Sequence, residues 1–240
     1  AFALGGVYLA WYLVTGQGRL RLNVRTPLRR DYFRDILRVG AVASISSLQT
    51  VLTIVIVTRM VASLGTEALA GYGIGMRLEF LMIPITFAIG VACVPMVGMA
   101  IGSGLVQRAR QVAWTGGVLS ALMVGSLGLL VSVFPDQWSR LFTDHPEVIA
   151  YAGSYFFWVA PAYPLFALGL CLYFASQGAG KLLGPVLAGT LRLVMVMVGG
   201  WWLVQEQAPV WAMFALISAA MVVYGVSTAL FVRLTPWGRT

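Results

Sequence analysis

Charge is what this sequence lacks. Only 10% of its 240 residues are Asp, Glu, Lys or Arg, and 60% are hydrophobic, where soluble domains run at about 25% charged and 45–50% apolar. A soluble surface on a chain of this size needs far more charge, so a water-soluble domain is excluded. Histidine and lysine are nearly absent as well: His145 and Lys181 are the sole examples. The two cysteines, Cys93 and Cys171, fall in separate apolar segments with no histidine nearby, so they read as small packing residues rather than a metal site. No nucleophile stands beside a base, which argues against an enzyme. Gly180-Lys181 is not a phosphate loop, because Leu182 stands where Ser or Thr is needed and Ala175 replaces the first glycine. No metal and no cofactor are expected.

What is abundant is uncharged run. No charged residue occurs in 1–18, 39–58, 80–107, 111–135, 148–180 or 207–232, and 182–205 is interrupted only by Arg192. A bilayer-crossing helix needs about 20 mostly apolar residues. The pattern predicts an all-α integral membrane protein, a six-helix transmembrane lobe preceded by a partial seventh span. The six full spans are expected near 39–61, 72–101, 111–134, 148–176, 184–205 and 209–232. Residues 1–16 would reach only about 24 Å as a helix against a core of about 30 Å. They are read as a partial transmembrane helix, with the sequence starting partway through it. Residues 17–38 form a basic loop containing Pro27, and 39–240 the six-helix lobe. Asp144 and Thr66 are candidate N-caps, with Pro146 in the first turn after Asp144. Gly98 and Gly102 form a small-xxx-small pair suited to close helix approach. Pro84, Pro95, Pro161 and Pro164 lie inside spans and are expected to kink them.

The net charge of +8 would suit a nucleic-acid ligand, but its distribution says membrane topology instead. Seven arginines lie between Arg19 and Arg38, and Arg108, Arg110, Lys181, Arg233 and Arg239 fall at alternate span ends. The other junctions hold Glu67, then Asp136, Asp144 and Glu147, then Glu206. Because basic loops are retained inside, this alternation predicts a multi-pass protein of the cell's inner (plasma) membrane with a cytoplasmic C-terminus. Membrane lipid is an expected partner, and nucleic acid is not.

Ionisable groups at membrane depth are costly and are functional candidates by default. Three qualify: Arg77, Glu79 and Arg192. Glu79 either pairs with Arg192 to order the bundle or binds a coupling cation, a proton or a cationic substrate. Arg77 sits two residues away, about 200° around the helix, and is a poor partner. Gln49, amid Ser44, Ser46, Ser47, Thr50 and Thr53, is a candidate cavity residue or a bridge between helices. Tyr163, between Pro161 and Pro164, and Phe157, in the aromatic run from Tyr155 to Trp158, are candidates for a substrate-cavity wall. Packing and interface anchoring are the competing roles for such aromatics. His145 is read as a loop residue.

Several stretches resemble the multidrug and toxic compound extrusion (MATE) family of secondary transporters. One runs from Arg59 to Glu79 (RMVASLGTEALAGYGIGMRLE) and on through Pro84, Gly90, Pro95-Met-Val-Gly98 and Gly102-Ser-Gly104 to Arg108-Ala-Arg110. Another is Leu141-Phe-Thr-Asp-His-Pro-Glu-Val148, followed by Ala160-Pro-Ala-Tyr-Pro164 and Gln177-Gly-Ala-Gly180. The resemblance covers nearly the whole chain and implies the C-terminal half of a twelve-helix protein of two six-helix lobes. It further implies antiport export of bulky, often cationic organic compounds and drugs, coupled to H⁺ or Na⁺, with a missing N-terminal lobe as partner. Where some members carry an acidic cation ligand, Gln49 is a neutral amide. Two alternatives stand beside this: a lipid-linked oligosaccharide flippase of the same superfamily, and a seven-helix receptor. A flippase would be expected to carry more intramembrane basic residues than Arg77 and Arg192, and a retinal protein would need a lysine inside a helix.

The charge alternation generates a topology prediction. Cysteines substituted singly as Arg25→Cys, Glu147→Cys and Arg239→Cys should react with an impermeant thiol reagent in intact cells only at position 147. Labelling of position 25 or 239 from outside would reverse the orientation.

Overall fold

Helix formation is forced wherever these apolar runs meet a bilayer, since every backbone N–H and C=O must find its partner within the segment. The computed structural model describes residues 2–15 and 30–238, and these are helical with no strand among them. Most of the basic loop, including Pro27, lies outside the described residues. The chain divides between Arg38 and Val39 into two compact units. In the first, α1 spans Phe2–Val14 and is about 20 Å long, less than the thickness of a bilayer core. Helix α2 runs Arg30–Ala62, beginning well before the expected position 39; its apolar part is Ala43–Ala62.

The second unit continues with α3 (Thr66–Gly102), α4 (Val106–Val133), the short α5 (Pro135–Ser139), α6 (Pro146–Val159), α7 (Tyr163–Gly178), α8 (Leu183–Gln205) and α9 (Val210–Leu234). A 3₁₀ turn, Ala160–Ala162, joins α6 to α7, so that Pro146–Gly178 forms one span. Six helices are therefore long and apolar enough to cross a membrane among the described residues, and the short connections make successive spans antiparallel. The chain is a multi-pass α-helical membrane protein.

Proline acts differently in the two spans that carry it. Pro161 lies in the 3₁₀ turn, where the regular ladder is interrupted, and Pro164 in the first turn of α7 that follows it. Pro84 and Pro95 lie inside α3, which stays α-helical through both. Two expected caps fall elsewhere. Gly65, with φ 131°, is the N-cap of α3, and Thr66 is its first helical residue. His145 is the N-cap of α6, and its backbone N–H donates to Thr143 Oγ1 at 3.2 Å. Asp144 is displaced from the cap because Pro146 already occupies the first helical position.

Two buried clusters occupy the two ends of the bundle. The larger gathers Val61, Tyr72, Leu78, Val148, Tyr155, Phe156 and Phe214 near the acidic junctions. The smaller gathers Val97, Ala109, Ala113, Leu172, Ala175 and Trp237 near the basic ones. Cys93 and Cys171 also belong to the smaller cluster, although sequence gave each no cysteine neighbour. A Cβ on Gly116 would lie 2.5 Å from Cys93 Sγ and 3.4 Å from Cys171 Sγ, so the two thiols flank one glycine. At the same end the Arg110 guanidinium donates to Thr235 O at 2.9 Å and Arg233 O at 3.3 Å, satisfying carbonyls that the last turn of α9 leaves open. Large apolar side chains such as Phe80, Leu122, Leu129 and Trp201 remain exposed around the perimeter, as a lipid-facing surface requires.

Helix approach in lipid depends on small residues, and the tightest approaches to another helix's backbone are at Gly178 and Gly225. A Cβ at Gly178 would stand 2.4 Å from Val94 O, and one at Gly225 2.2 Å from Leu165 O. Backbone cannot step aside as a flexible side chain can. Gly98 lies 3.5 Å by the same measure from Gly178 O, whereas Gly102 faces open space within 4 Å. Gly178→Ala and Gly225→Ala should each destabilise the detergent-solubilised chain by about 1–3 kcal/mol through overpacking. At about 2–4 °C per kcal/mol for a chain of this size, a thermal melt resolves that. Gly153→Ala, with nothing within 4 Å, should be neutral or slightly stabilising; equal losses at all three sites would refute the contact argument.

Candidate functional site: a buried glutamate, an arginine and three small cavities

Helix periodicity builds the site from one face of α3. Tyr72, Gly75, Glu79, Met82 and Thr86 recur at three- and four-residue intervals and so face the bundle together. Tyr72, Gly75, Met82 and Thr86 are buried, and Glu79 is half-buried. Gly75 supplies the space: a Cβ there would lie 2.2 Å from Tyr155 Cδ1. The Tyr155 ring fills that notch, fully buried, with edge-to-face contacts to Tyr72, Phe156 and Phe214 at 5.7, 5.9 and 5.2 Å. So held, the Tyr155 hydroxyl donates a hydrogen bond to Glu79 Oε1.

The structure brings Glu79 and Arg192 to one small cavity, of about 30 Å³, also lined by Thr53, Tyr72 and Tyr155. They do not form a contact ion pair: Glu79 is bonded to Tyr155, and the Arg192 guanidinium lies over the Phe166 and Tyr224 rings, 5.0 and 5.9 Å from their centroids. A space of that size, flanked by two charges and polar side chains, meets the requirement for one bridging water. Glu79 also lines a second cavity, of about 20 Å³, with Thr86, Tyr163 and Phe166. The Tyr163 hydroxyl is buried there without a hydrogen-bond partner. Below it Ser120 Oγ donates to Thr86 Oγ1 at 3.2 Å, tying α4 to α3.

The other face of Arg192 lines a larger cavity, of about 150 Å³, with Gln49, Ser46, Thr50, Phe87 and Gly189 among its walls. Gln49 Nε2 donates to Thr190 Oγ1 at 2.8 Å, and Thr190 passes its own proton to Val186 O at 3.0 Å. Gln49 Oε1 and Ser46 Oγ stay buried and unpaired. Gln49 thus bridges α2 to α8 with its amide oxygen buried against Gly189. A Cβ on Gly189 would come within 2.6 Å of that acceptor, so glycine is what admits it.

Two candidates sit apart from these cavities. Arg77 is exposed, 4.5 Å from the Phe142 ring centroid. Phe157 is 68% exposed and meets Trp158 edge to face, while Trp158 stacks on Trp211; this is the placement of an interfacial aromatic group. Sequence reasoning did not single out Phe166, Tyr224 or the hydroxyl of Tyr155 as partners of the charges. The Gly75-x-x-x-Glu79 spacing was the one available signal, since it leaves a notch one turn from the carboxylate. No group of three or more potential metal ligands occurs among the described residues.

Comparison with known proteins supplies the family. The MatE family profile matches residues 42–202. The chain is 30% identical over 221 residues to the probable multidrug resistance protein NorM of Aromatoleum aromaticum, an alignment covering 89% of this chain and 47% of that protein. Its fold superposes on a MATE transporter in a straight conformation with a TM-score of 0.87 at 18% identity, over 97% of this chain and 53% of that one. The MATE transporter ClbM in complex with Rb⁺ gives a TM-score of 0.78 at 25% identity, over 85% and 48% of the two chains. The chain thus spans about half the length of the proteins it matches. With the family match covering most of the six-helix bundle and the fold shared end to end, this chain belongs to the MATE family, whose members are transporters and not enzymes.

Proposed function

We propose that residues 39–240 form the C-terminal six-helix lobe of a two-lobe antiporter. It would export bulky, often cationic organic compounds across the plasma membrane, driven by inward H⁺ or Na⁺. In this reading residues 1–16 end the N-terminal lobe and 17–38 link the lobes in the cytoplasm. The C-terminus is cytoplasmic as well. The drug-resistance names of the relatives support the cargo class, and the Rb⁺ bound to ClbM fits a fold that handles cations.

One observation carries the coupling role. Within the apolar spans, beyond their first turns, Glu79 is the single acidic residue among the described residues, and it sits beside two cavities with a tyrosine as its bonded partner. A carboxylate locked in a contact ion pair has its charge fully committed. One held by a hydroxyl can exchange a proton or small cation while the hydrogen bond persists, because a protonated or amidated acceptor still accepts. Arg192, across the small cavity, would sense that exchange electrostatically without blocking it.

The test separates coupling from packing. In the transporter carrying both lobes, Glu79→Gln should abolish or reshape the pH or Na⁺ dependence of ethidium efflux, while the melting temperature falls little because Tyr155 keeps an acceptor. A double-mutant cycle of Glu79→Ala, which removes the acceptor, with Tyr155→Phe should give a coupling of about 1.5–3 kcal/mol, the range for a hydrogen bond to a charged group. The cycle with Arg192→Met should give less. Ion-dependent efflux unchanged by Glu79→Gln would sink the coupling role.

A further inference from the structure

Cys93 on α3 and Cys171 on α7 are both free and buried, and α4 meets them at Gly116. The distances from a Gly116 Cβ position, 2.5 Å to Cys93 Sγ and 3.4 Å to Cys171 Sγ, keep the two sulfurs within about 5.9 Å of each other. Glycine is what lets them gather, because a Cβ there would displace Cys93 Sγ. Neither thiol is strongly committed: Cys93 Sγ reaches Val112 O at 4.0 Å, a long contact for a weak donor. Cys93 also lines a groove of about 650 Å³ between α3 and α4, with Ala92, Met96 and Thr115 as exposed walls. One thiol of the pair can therefore be reached from outside the bundle.

Two thiols with no harder donor beside them define a ligand class. Structural Zn²⁺ takes four ligands, and no group of three or more potential metal ligands occurs among the described residues. Ca²⁺ and Mg²⁺ need oxygen. Thiolates select soft cations, and a d¹⁰ cation that accepts two ligands in line needs no more than this pair. Charge chooses among such cations. Two thiolates around Ag⁺ or Cu⁺ leave one net negative charge inside the bilayer, whereas around Hg²⁺ the site is neutral and buries no net charge. Arg108 also lines the groove but stands two turns from Gly116, about 12 Å along α4, too far to offset that charge at contact. A d¹⁰ cation such as Zn²⁺ bonds thiolate at about 2.3 Å, so a linear bridge of two such bonds spans about 4.6 Å. That lies inside the separation these two positions allow.

We propose that Cys93 and Cys171 form a two-coordinate dithiolate site for a soft divalent cation of the Hg²⁺ type, which enters by the α3–α4 groove as its neutral chloride. Two S–H bonds break, two S–Hg bonds form, and two protons and two chloride ions leave; nothing is oxidised or reduced. The bound cation joins α3 to α7 across α4 at the end of the bundle that carries the basic junctions. Glu79 lies fourteen residues away on α3, about 21 Å along the helix. The site is therefore independent of the coupling role, and a binding measurement on it succeeds or fails without reference to efflux.

Cys93 and Cys171 are the sole cysteines of the chain, so the chain in nanodiscs carries no competing thiol. It is titrated with HgCl₂ in a modest excess of glutathione and followed by native mass spectrometry and by the ultraviolet thiolate-to-mercury absorption. One mercury should bind per chain, with the mass of the metal less two protons, and should resist glutathione; Zn²⁺ under the same conditions should leave no adduct. Cys171→Ala should give an adduct that keeps a chloride and yields to glutathione at least a hundredfold more readily. Gly116→Ala, which keeps both thiols, should weaken retention at least tenfold. If either variant fails to fold, the stoichiometry and mass of the unsubstituted chain decide the matter. Two mercury ions per chain, an adduct that retains chloride, or ready loss to glutathione from the unsubstituted chain would overturn the proposal. Retention unchanged by Cys171→Ala would do the same.

Discussion

A polar group inside a bilayer has no water to fall back on, and this constraint organises the lobe around Glu79. One carboxylate at membrane depth must be held by the protein itself, because leaving it unpaired costs far more than any single packing contact contributes. Tyr155 holds it, and the rest follows from holding Tyr155. The ring needs a notch, which Gly75 provides; it needs rigid walls, which Tyr72, Phe156 and Phe214 supply from three helices. The hydroxyl's position is therefore set by the tight core at the acidic end of the bundle, and the chemistry of the site depends on that core.

Arg192 shows the same constraint met differently. Its charge lies on aromatic faces and between two cavities, one shared with Glu79 and one with Gln49. Stacking lets a guanidinium remain in a low-dielectric place with its donor edge unspent. The two charges of the site are thereby kept near each other but not joined. A contact pair would stabilise the bundle and close the site.

Packing in lipid lacks the hydrophobic drive that assembles soluble cores, so close contact must come from shape. Gly225 against Leu165 O brings backbones together near the middle of the bundle, and Gly178 against Val94 O does so at the end that also holds the two free cysteines and the Arg110 cap of α9. That end is rich in alanine, glycine and small thiols, with Leu172 and Trp237 among them. The opposite end is built from aromatic rings. The 3₁₀ turn at Ala160–Ala162 lies at the join, delivering Tyr163 to the cavity beside Glu79.

The order and extent of the spans were decided by the sequence alone, because a twenty-residue uncharged run in a bilayer has no alternative to the helix. The presence of Glu79, Arg192 and Gln49 at depth was equally legible, since charge and amide stand out against an apolar background. Which groups touch was not. A helix fixes the spacing of its own residues but not its rotation against its neighbours, so sequence left Glu79 with Arg192 as its natural partner by charge. Only the tertiary packing turned Tyr155 onto the carboxylate and laid Arg192 on Phe166 and Tyr224. Likewise, the separation of Cys93 and Cys171 along the chain hid their shared position beside Gly116, and the aromatic run around Phe157 gave no sign of which ring faces outward. The span is written in local composition, readable residue by residue; the site is written in contacts between helices, which exist only once the bundle closes.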